Sequence, residues 1–177
     1  NHRDDAWGGD EERRLNFPRR VIERVRQSIG DRPLIYRLSA DEFTPKGLDI
    51  DDMVRIAPKL VAAGVDALHV SMGLGWTSFD QVIEPMSTPE GWRLPYSRRI
   101  REAVSVPVIS VGQIRWPQTA ENAIRDGDAD MIALGRPLLA DPEWANKARR
   151  DAALDIRPCT SCNYCVAISS GAHGTIG

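Results

Sequence analysis

Three segments of this chain repeat one syntax, and that repetition constrains the fold more than any other feature. They are SIGDRPLIYRLSA (28–40), AAGVDALHVSMG (62–73) and RDGDADMIALG (125–135). Each runs from a helix end through a glycine and an acidic residue into an apolar strand, then into small or polar residues. Strands that are almost wholly apolar and alternate with helices predict a parallel sheet covered by helices. Glycine and polar residues collect where these strands end. In α/β proteins that is where ligands bind.

The spacing predicts a helix over 10–29, with Asp10 as N-cap and Glu11 and Glu12 in its first turn. Pro18 leaves open a later start. A strand follows over 33–38, then a helix over 49–63 with Pro58 as a kink and Gly64 as its end. Strand 66–71 leads into a long loop over 72–95. Helix 96–104, strand 107–111, helix 117–126, strand 130–134 and helix 142–150 complete four βα units.

All three cysteines, Cys159, Cys162 and Cys165, lie in one CxxCxxC run near the C-terminus. Thiolates at this spacing can converge on a soft metal centre, either an iron–sulfur cluster or zinc. Three ligands leave a four-thiolate site incomplete, and His173 would make a Cys3His zinc site. Cysteines without a distant partner do not form a secreted disulfide framework, so a reducing cytoplasm is expected. The formal net charge of −2 gives no basic field for nucleic acid or an anionic membrane. No apolar run approaches the ~20 residues that span a bilayer.

The ordered set Asn1-His2-Arg3-Asp4, Trp7-Gly8-Gly9, Arg14, Phe17, Tyr36-Arg37-Leu38-Ser39, Gly64-Val65-Asp66, Pro107-Val108-Ile109, Gly112, Ala129-Asp130 and Gly135-Arg136-Pro137-Leu138-Leu139-Ala140-Asp141-Pro142 resembles the old yellow enzyme family of flavin-dependent (β/α)8-barrel oxidoreductases. The resemblance covers essentially the whole chain. Gly73-Leu74-Gly75-Trp76 and the cysteines are similar to the iron–sulfur branch that includes 2,4-dienoyl-CoA reductase and trimethylamine dehydrogenase. It implies an α/β fold in which residues 1–150 are the second half of an FMN-binding (β/α)8 TIM barrel and residues 151–177 begin an iron–sulfur segment. It also implies a missing N-terminal half-barrel that carries the proton donor, and a fourth cysteine just past Gly177. Larger relatives add a C-terminal redox domain with FAD and nicotinamide sites.

The resemblance implies roles for single residues. Arg37 would stabilise negative charge on a reduced flavin. Gly112, Gln113, Gly135 and Arg136 would hold its phosphate after strands seven and eight. Cys159, Cys162 and Cys165 would ligate a [4Fe–4S] cluster. Trp76 and Thr77, in the loop over the barrel mouth, are the candidate catalytic positions. The dienoyl-CoA reductases have histidine where Thr77 stands, and three residues rather than two between their second and third cysteines. The first departure points to a different substrate; the second bears on the cluster, and [4Fe–4S] sites tolerate two-residue spacings. His69, on one strand face with Ala67 and Ser71, reads as a packed, hydrogen-bonded histidine.

The expected activity is therefore that of an FMN-dependent oxidoreductase. NAD(P)H would be the electron donor and an activated alkene of enoate or dienoyl type the small-molecule substrate. An iron–sulfur relay is expected, as is a homo-oligomer in the intact protein. Amine dehydrogenation is the alternative within the family. Two other readings stay open: a non-redox phosphate-binding α/β scaffold with a zinc tail, and a non-catalytic half-barrel that serves only as an assembly module.

Overall fold

The computed structural model describes residues 3–75 and 77–169. Its elements in chain order are α1 (Glu11–Ile29), β1 (Ile35–Ser39), α2 (Ile50–Ala62), β2 (Ala67–Ser71), α3 (Phe79–Val82), α4 (Leu94–Ala103), β3 (Val108–Val111), α5 (Pro117–Arg125), β4 (Met131–Ala133), α6 (Arg136–Ala140), α7 (Trp144–Arg149), a 3-10 turn (Ala153–Asp155) and α8 (Tyr164–Ser169). The four strands form one parallel sheet in the order β1-β2-β3-β4. Each strand adds on the same side of the one before it. That sequential winding is the topology of a barrel, whereas a doubly wound sheet reverses its order part-way.

The helices cover one face. Leu38, Leu68, Val70 and Val108 meet Leu15 and Ile22 of α1, Met53, Ile56, Ala57 and Leu60 of α2, and Ile100 of α4 in a single buried cluster. The register pairs Arg37 with His69, His69 with Ile109, and Ile109 with Met131 across the opposite face. On that face Ile35 and Met131 are exposed. A mixed strand face left partly open while the other is sealed is the geometry expected of a barrel interior seen from one half.

The acidic residue of the repeated syntax has a mechanical role. Asp66, entering β2, accepts a hydrogen bond from the backbone N–H of Leu34 at 2.7 Å and is ion-paired with Arg26 of α1. Asp130, entering β4, accepts from the N–H of Val108 at 2.9 Å and pairs with Arg101 of α4 at 2.9 Å. Each carboxylate thus satisfies the first donor of the neighbouring strand and ties it to the preceding helix. Arg26, then the Leu34 amide, hold the Asp66 carboxyl below its usual range. At Asp130 burial opposes ionisation, and the Val108 amide with Arg101 outweighs it.

The first two helices keep the bounds that the spacing predicts, and two later ones shift. Asp10 caps α1 by accepting from the N–H of Arg13 at 2.9 Å, and the helix runs on through Pro18. A good cap and a buried stripe outweigh the single backbone bond that proline removes. Helix α2 likewise continues through Pro58, started by a reciprocal capping box between Asp49 and Asp52. Helix α4 starts two residues earlier than the spacing predicts, with Pro95 in its first turn. The loop over 72–95 contains the short α3. The last predicted helix shortens to α7, and α6 precedes it directly after β4. No helix among the described residues is long and apolar enough to cross a membrane.

Candidate functional site

The C-terminal ends of β1, β3 and β4 converge, with the loop over 72–95 and the cysteine segment, on a cleft of about 210 Å³. Arg37, Gly112, Gln113, Gly135 and Arg136 all line it, and so does Cys159. The residues singled out for cofactor binding are therefore brought together in space although 99 positions separate the first from the last.

Arg37 is oriented by its neighbour strand. Its Nη2 donates to Ser71 Oγ at 2.8 Å. Its Nη1 lies 3.2 Å from Nε2 and 3.4 Å from Nδ1 of His69. Near-equal distances place that nitrogen on the ring's midline rather than along one lone pair. Burial first, then the Arg37 charge, push the His69 pKa below 6.5. A neutral imidazole is thereby favoured beside the guanidinium. The packed histidine of the sequence reading is found, and its main neighbour is a cation.

Beneath the cleft lies a charged group that the sequence did not announce. Glu84 is 2% exposed and Arg93 3%. Glu84 accepts from Trp92 Nε1 at 3.1 Å and from Arg136 Nη2 at 2.8 Å. Arg93 Nε lies 2.6 Å from Glu84 Oε1, but its N–H bond is not aligned on that oxygen, so the contact is ionic. Arg93 also donates to the carbonyl oxygens of Gln81 and Val82, pinning the loop. Burial pulls the Arg93 pKa down and Glu84 opposes the shift. Glu84 and Arg93 are charges within a Pro- and Gly-rich loop, a context that ordinarily signals solvent, and no spacing marks them.

Gly112 makes room for this pair. Its φ is +119°, and a Cβ there would fall 2.5 Å from Arg93 Cδ and 2.6 Å from Glu84 Oε1. The sequence reading gave this glycine a backbone role toward phosphate; the packing against Arg93 is a further reason for it. Gly135 is different, since nothing lies within 4 Å of the point where its Cβ would project. That open space suits the close approach of a ligand to the backbone. Arg136 donates to the backbone oxygen of Glu84 at 2.7 Å and to Asn163 Oδ1.

The cysteine segment is tied into the same place. Ser161 Oγ donates to Gln113 Oε1 at 2.7 Å, while Gln113 Nε2 donates to the carbonyl of Pro85 at 2.8 Å. Both ends of the Gln113 amide thus join protein elements. Ser161 and Asn163 adopt φ of 55° and 61°, so the chain turns sharply between successive cysteines. Ser161 N–H points to Cys159 Sγ at 3.4 Å. The Tyr164 amide, then the Thr160 side chain, push the Cys162 thiol down. Asp141, 1% exposed, anchors the approach to this segment. It accepts from Lys147 Nζ at 2.7 Å and from the N–H of Arg157 at 2.9 Å, and its carboxyl is held at about 2.

These features bear on the two groups expected here. Four arginines against one carboxylate on the cleft wall suit a phosphate-bearing ligand. N–H donors directed at sulfur and a depressed thiol suit thiolate ligation. All three cysteines are free, and among the described residues no three His, Cys, Asp or Glu side chains converge as a metal site. His173 and Trp76 lie outside the described residues. Thr77 is exposed in its loop and is not part of the cleft wall.

Comparison with known proteins gives the fold and the family. The chain is 44% identical to an NADH oxidase of Thermoanaerobacter brockii over 164 residues, 92% of this chain and 25% of that protein. It is 39% identical to a cinnamate reductase of Clostridium sporogenes, over 92% of this chain and 26% of that one. It therefore spans about a quarter of the length of these relatives. Among solved structures, 2-naphthoyl-CoA reductase in complex with 2-naphthoyl-CoA matches with a TM-score of 0.85 at 28% identity, covering 92% of this chain and 25% of that one. Histamine dehydrogenase from Rhizobium sp. 4-9 matches with a TM-score of 0.85 at 28% identity, covering 97% and 24%. The four βα units are thus part of an α/β barrel fold shared with these oxidoreductases. The model of the NADH:flavin oxidoreductase / NADH oxidase family matches residues 1–155, and the chain belongs to that family.

Proposed function

We propose that this chain is the FMN-phosphate and cluster-bearing half of an NAD(P)H-dependent oxidoreductase that reduces an activated alkene. The supporting observation is the convergence of Arg37, Gly112, Gln113, Gly135 and Arg136 on one arginine-rich cleft that Cys159 also borders. Residues 1–150 belong to the barrel half in this reading, and 151–177 to the cluster segment.

FMN, when bound, supplies hydride- and electron-transfer chemistry. The chain's own residues do the rest. Arg37, held by Ser71 and neutral His69, keeps a fixed positive charge at the barrel mouth, where it offsets negative charge without reorganising. Arg136, braced by Glu84, offers charged donors to the phosphate. Gly135 leaves its backbone open to that group, while Gly112 and Gln113 fix the neighbouring strand end. Cys159, Cys162 and Cys165 are three thiolate ligands for a [4Fe–4S] cluster, completed by a fourth from outside this chain. The direct Arg136–Asn163 and Gln113–Ser161 bonds hold this segment against the flavin site, a contact suited to electron relay.

The reductases named for cinnamate and 2-naphthoyl-CoA support an alkene conjugated to a carboxyl or thioester as the substrate class. The equal structural likeness to a histamine dehydrogenase favours amine oxidation as the second reading. The missing half-barrel, a further redox domain, a homo-oligomeric assembly and a cytoplasmic setting complete the proposal. An absorption spectrum of the complete protein, purified without oxygen, tests it. Flavin bands over a broad shoulder bleached by dithionite are expected. A colourless protein that takes up zinc but neither FMN nor iron would overturn the reading. NADH-dependent turnover of cinnamate-type acids against oxidation of amines separates the two substrate classes.

A further inference from the structure

The cleft wall carries Arg37, Arg93, Arg115 and Arg136 against a single carboxylate, Glu84. Three of these arginines have partners. Arg93 and Arg136 share Glu84, and Arg37 is held by Ser71 and His69. Arg115 differs. Its Nε is buried without a hydrogen-bond partner, and among the described residues its guanidinium meets no acceptor and no carboxylate. The residue as a whole is only half-buried, but a buried donor atom without a partner is unfavourable until a ligand or water satisfies it.

The backbone around Arg115 is fixed from both sides. Glu90 Oε1 accepts from the N–H of Arg115 at 2.7 Å and from that of Trp116 at 2.9 Å. Trp144 Nε1 donates to the carbonyl oxygen of Arg115 at 2.8 Å. That Glu90 oxygen serves the two backbone donors and forms no ion pair with the guanidinium. The side chain is therefore held at the cleft by its backbone while its own donors stay uncommitted.

We infer that Arg115 is a phosphate ligand of this cleft, acting with Arg136 on a phosphate monoester. A dianionic phosphate accepts several hydrogen bonds and matches the fork of a guanidinium. The excess positive charge on the wall is of the sign such a dianion requires. That the phosphate is carried by FMN rests on the function proposed above; that the site takes a phosphate does not.

The test uses the complete protein with Arg115→Ala, Arg115→Lys and Arg136→Ala, stripped of cofactor and titrated with FMN, riboflavin and inorganic phosphate. Flavin binding is read by fluorescence and phosphate binding by thermal shift. Arg115→Ala is expected to weaken FMN by roughly 10- to 100-fold, the range for a charged hydrogen bond, with riboflavin unchanged and partial rescue by Arg115→Lys. Unchanged FMN affinity in Arg115→Ala, with loss in Arg136→Ala, overturns the inference and leaves the flavin reading standing. Equal loss of FMN and riboflavin in both Arg115 variants also overturns it, because the effect is then packing. If wild type binds neither flavin, the flavin reading fails and phosphate decides. Stabilisation of wild type by phosphate but not of Arg115→Ala supports the inference, and no stabilisation of wild type overturns it.

Discussion

The carboxylate of Glu84 stands between two guanidiniums, 2.8 Å from Arg136 Nη2 and 2.6 Å from Arg93 Nε, with Glu84 and Arg93 both almost completely buried. One acid thus fixes the loop over 72–95, through Arg93, and the start of α6, through Arg136. Removing a single partner of a buried ion pair leaves an uncompensated charge, which typically destabilises by about 3–5 kcal/mol. Glu84→Gln is expected to lose stability on that scale, read as a lower denaturation midpoint. A midpoint within error of wild type would show that the charge is not needed.

Gly112→Ala reports on the same cluster from the other side. The added methyl meets Arg93 and Glu84 at 2.5–2.6 Å, and the backbone lies at φ +119°. Strain and overpacking together are expected to destabilise by about 2 kcal/mol or more. Gly135→Ala meets nothing within 4 Å. Its stability should change little while FMN affinity falls. Equal thermal stability of the two variants would contradict the packing argument.

His69 predicts a pH dependence whose sign follows from its setting. Its folded pKa lies below the unfolded value of 6.5 through burial and the Arg37 charge. Between the two values the unfolded chain binds more protons, so stability rises with pH in that window. It is full above 6.5 and falls as pH drops below it. His69→Asn should flatten the melting-temperature profile between pH 5 and 7 relative to wild type. A variant with the same slope would assign that slope to another group.

Asp141 contributes in the acid range. Its pKa is lowered from 3.8 to about 2 by Lys147, then by the Arg157 amide. Its stabilisation is present above 3.8 and is lost as pH falls through about 2. Asp141→Asn keeps the size but weakens the hold on Arg157. Faster hydrogen exchange at the Arg157 amide and through the cysteine segment is expected, with the amides of β2 unchanged. Uniformly faster exchange would indicate global loss of stability instead.

The parallel sheet was legible in the sequence because the signal is local, whereas its barrel winding came from the family resemblance. Glycine, an acidic residue and an apolar run recur at three of the four strands, and Asp66 and Asp130 use their carboxylates in the same way. Arg37, Gly112 and Arg136 were singled out because the family resemblance places them at strand ends, where ligands gather in this architecture. Glu84, Arg93 and Arg115 could not be. Their burial depends on a loop folding back over the strand ends, and a charged residue in a loop carries no mark of its eventual neighbours. The helix over 10–29 was legible from its cap and apolar stripe; Pro18 left a later start open because local propensity counts the missing N–H and not the packing that retains the helix.

Ser161 allows the two contributions of one residue in the cysteine segment to be separated. Its hydroxyl donates to the buried Gln113 Oε1 at 2.7 Å, and its backbone sits at φ 55°. Deleting the hydroxyl leaves that oxygen without this donor, which typically destabilises by about 1–3 kcal/mol. Glycine populates positive φ without the roughly 1 kcal/mol penalty that alanine incurs. If the hydrogen bond holds the segment to the strand end, Ser161→Ala and Ser161→Gly should both loosen it, alanine more. Retention of segment protection in the glycine variant alone would place the effect in the backbone turn. Hydrogen exchange of the amides over 159–165 reads the difference, and iron content of the complete protein shows whether the same bond holds the thiolates ready for a metal.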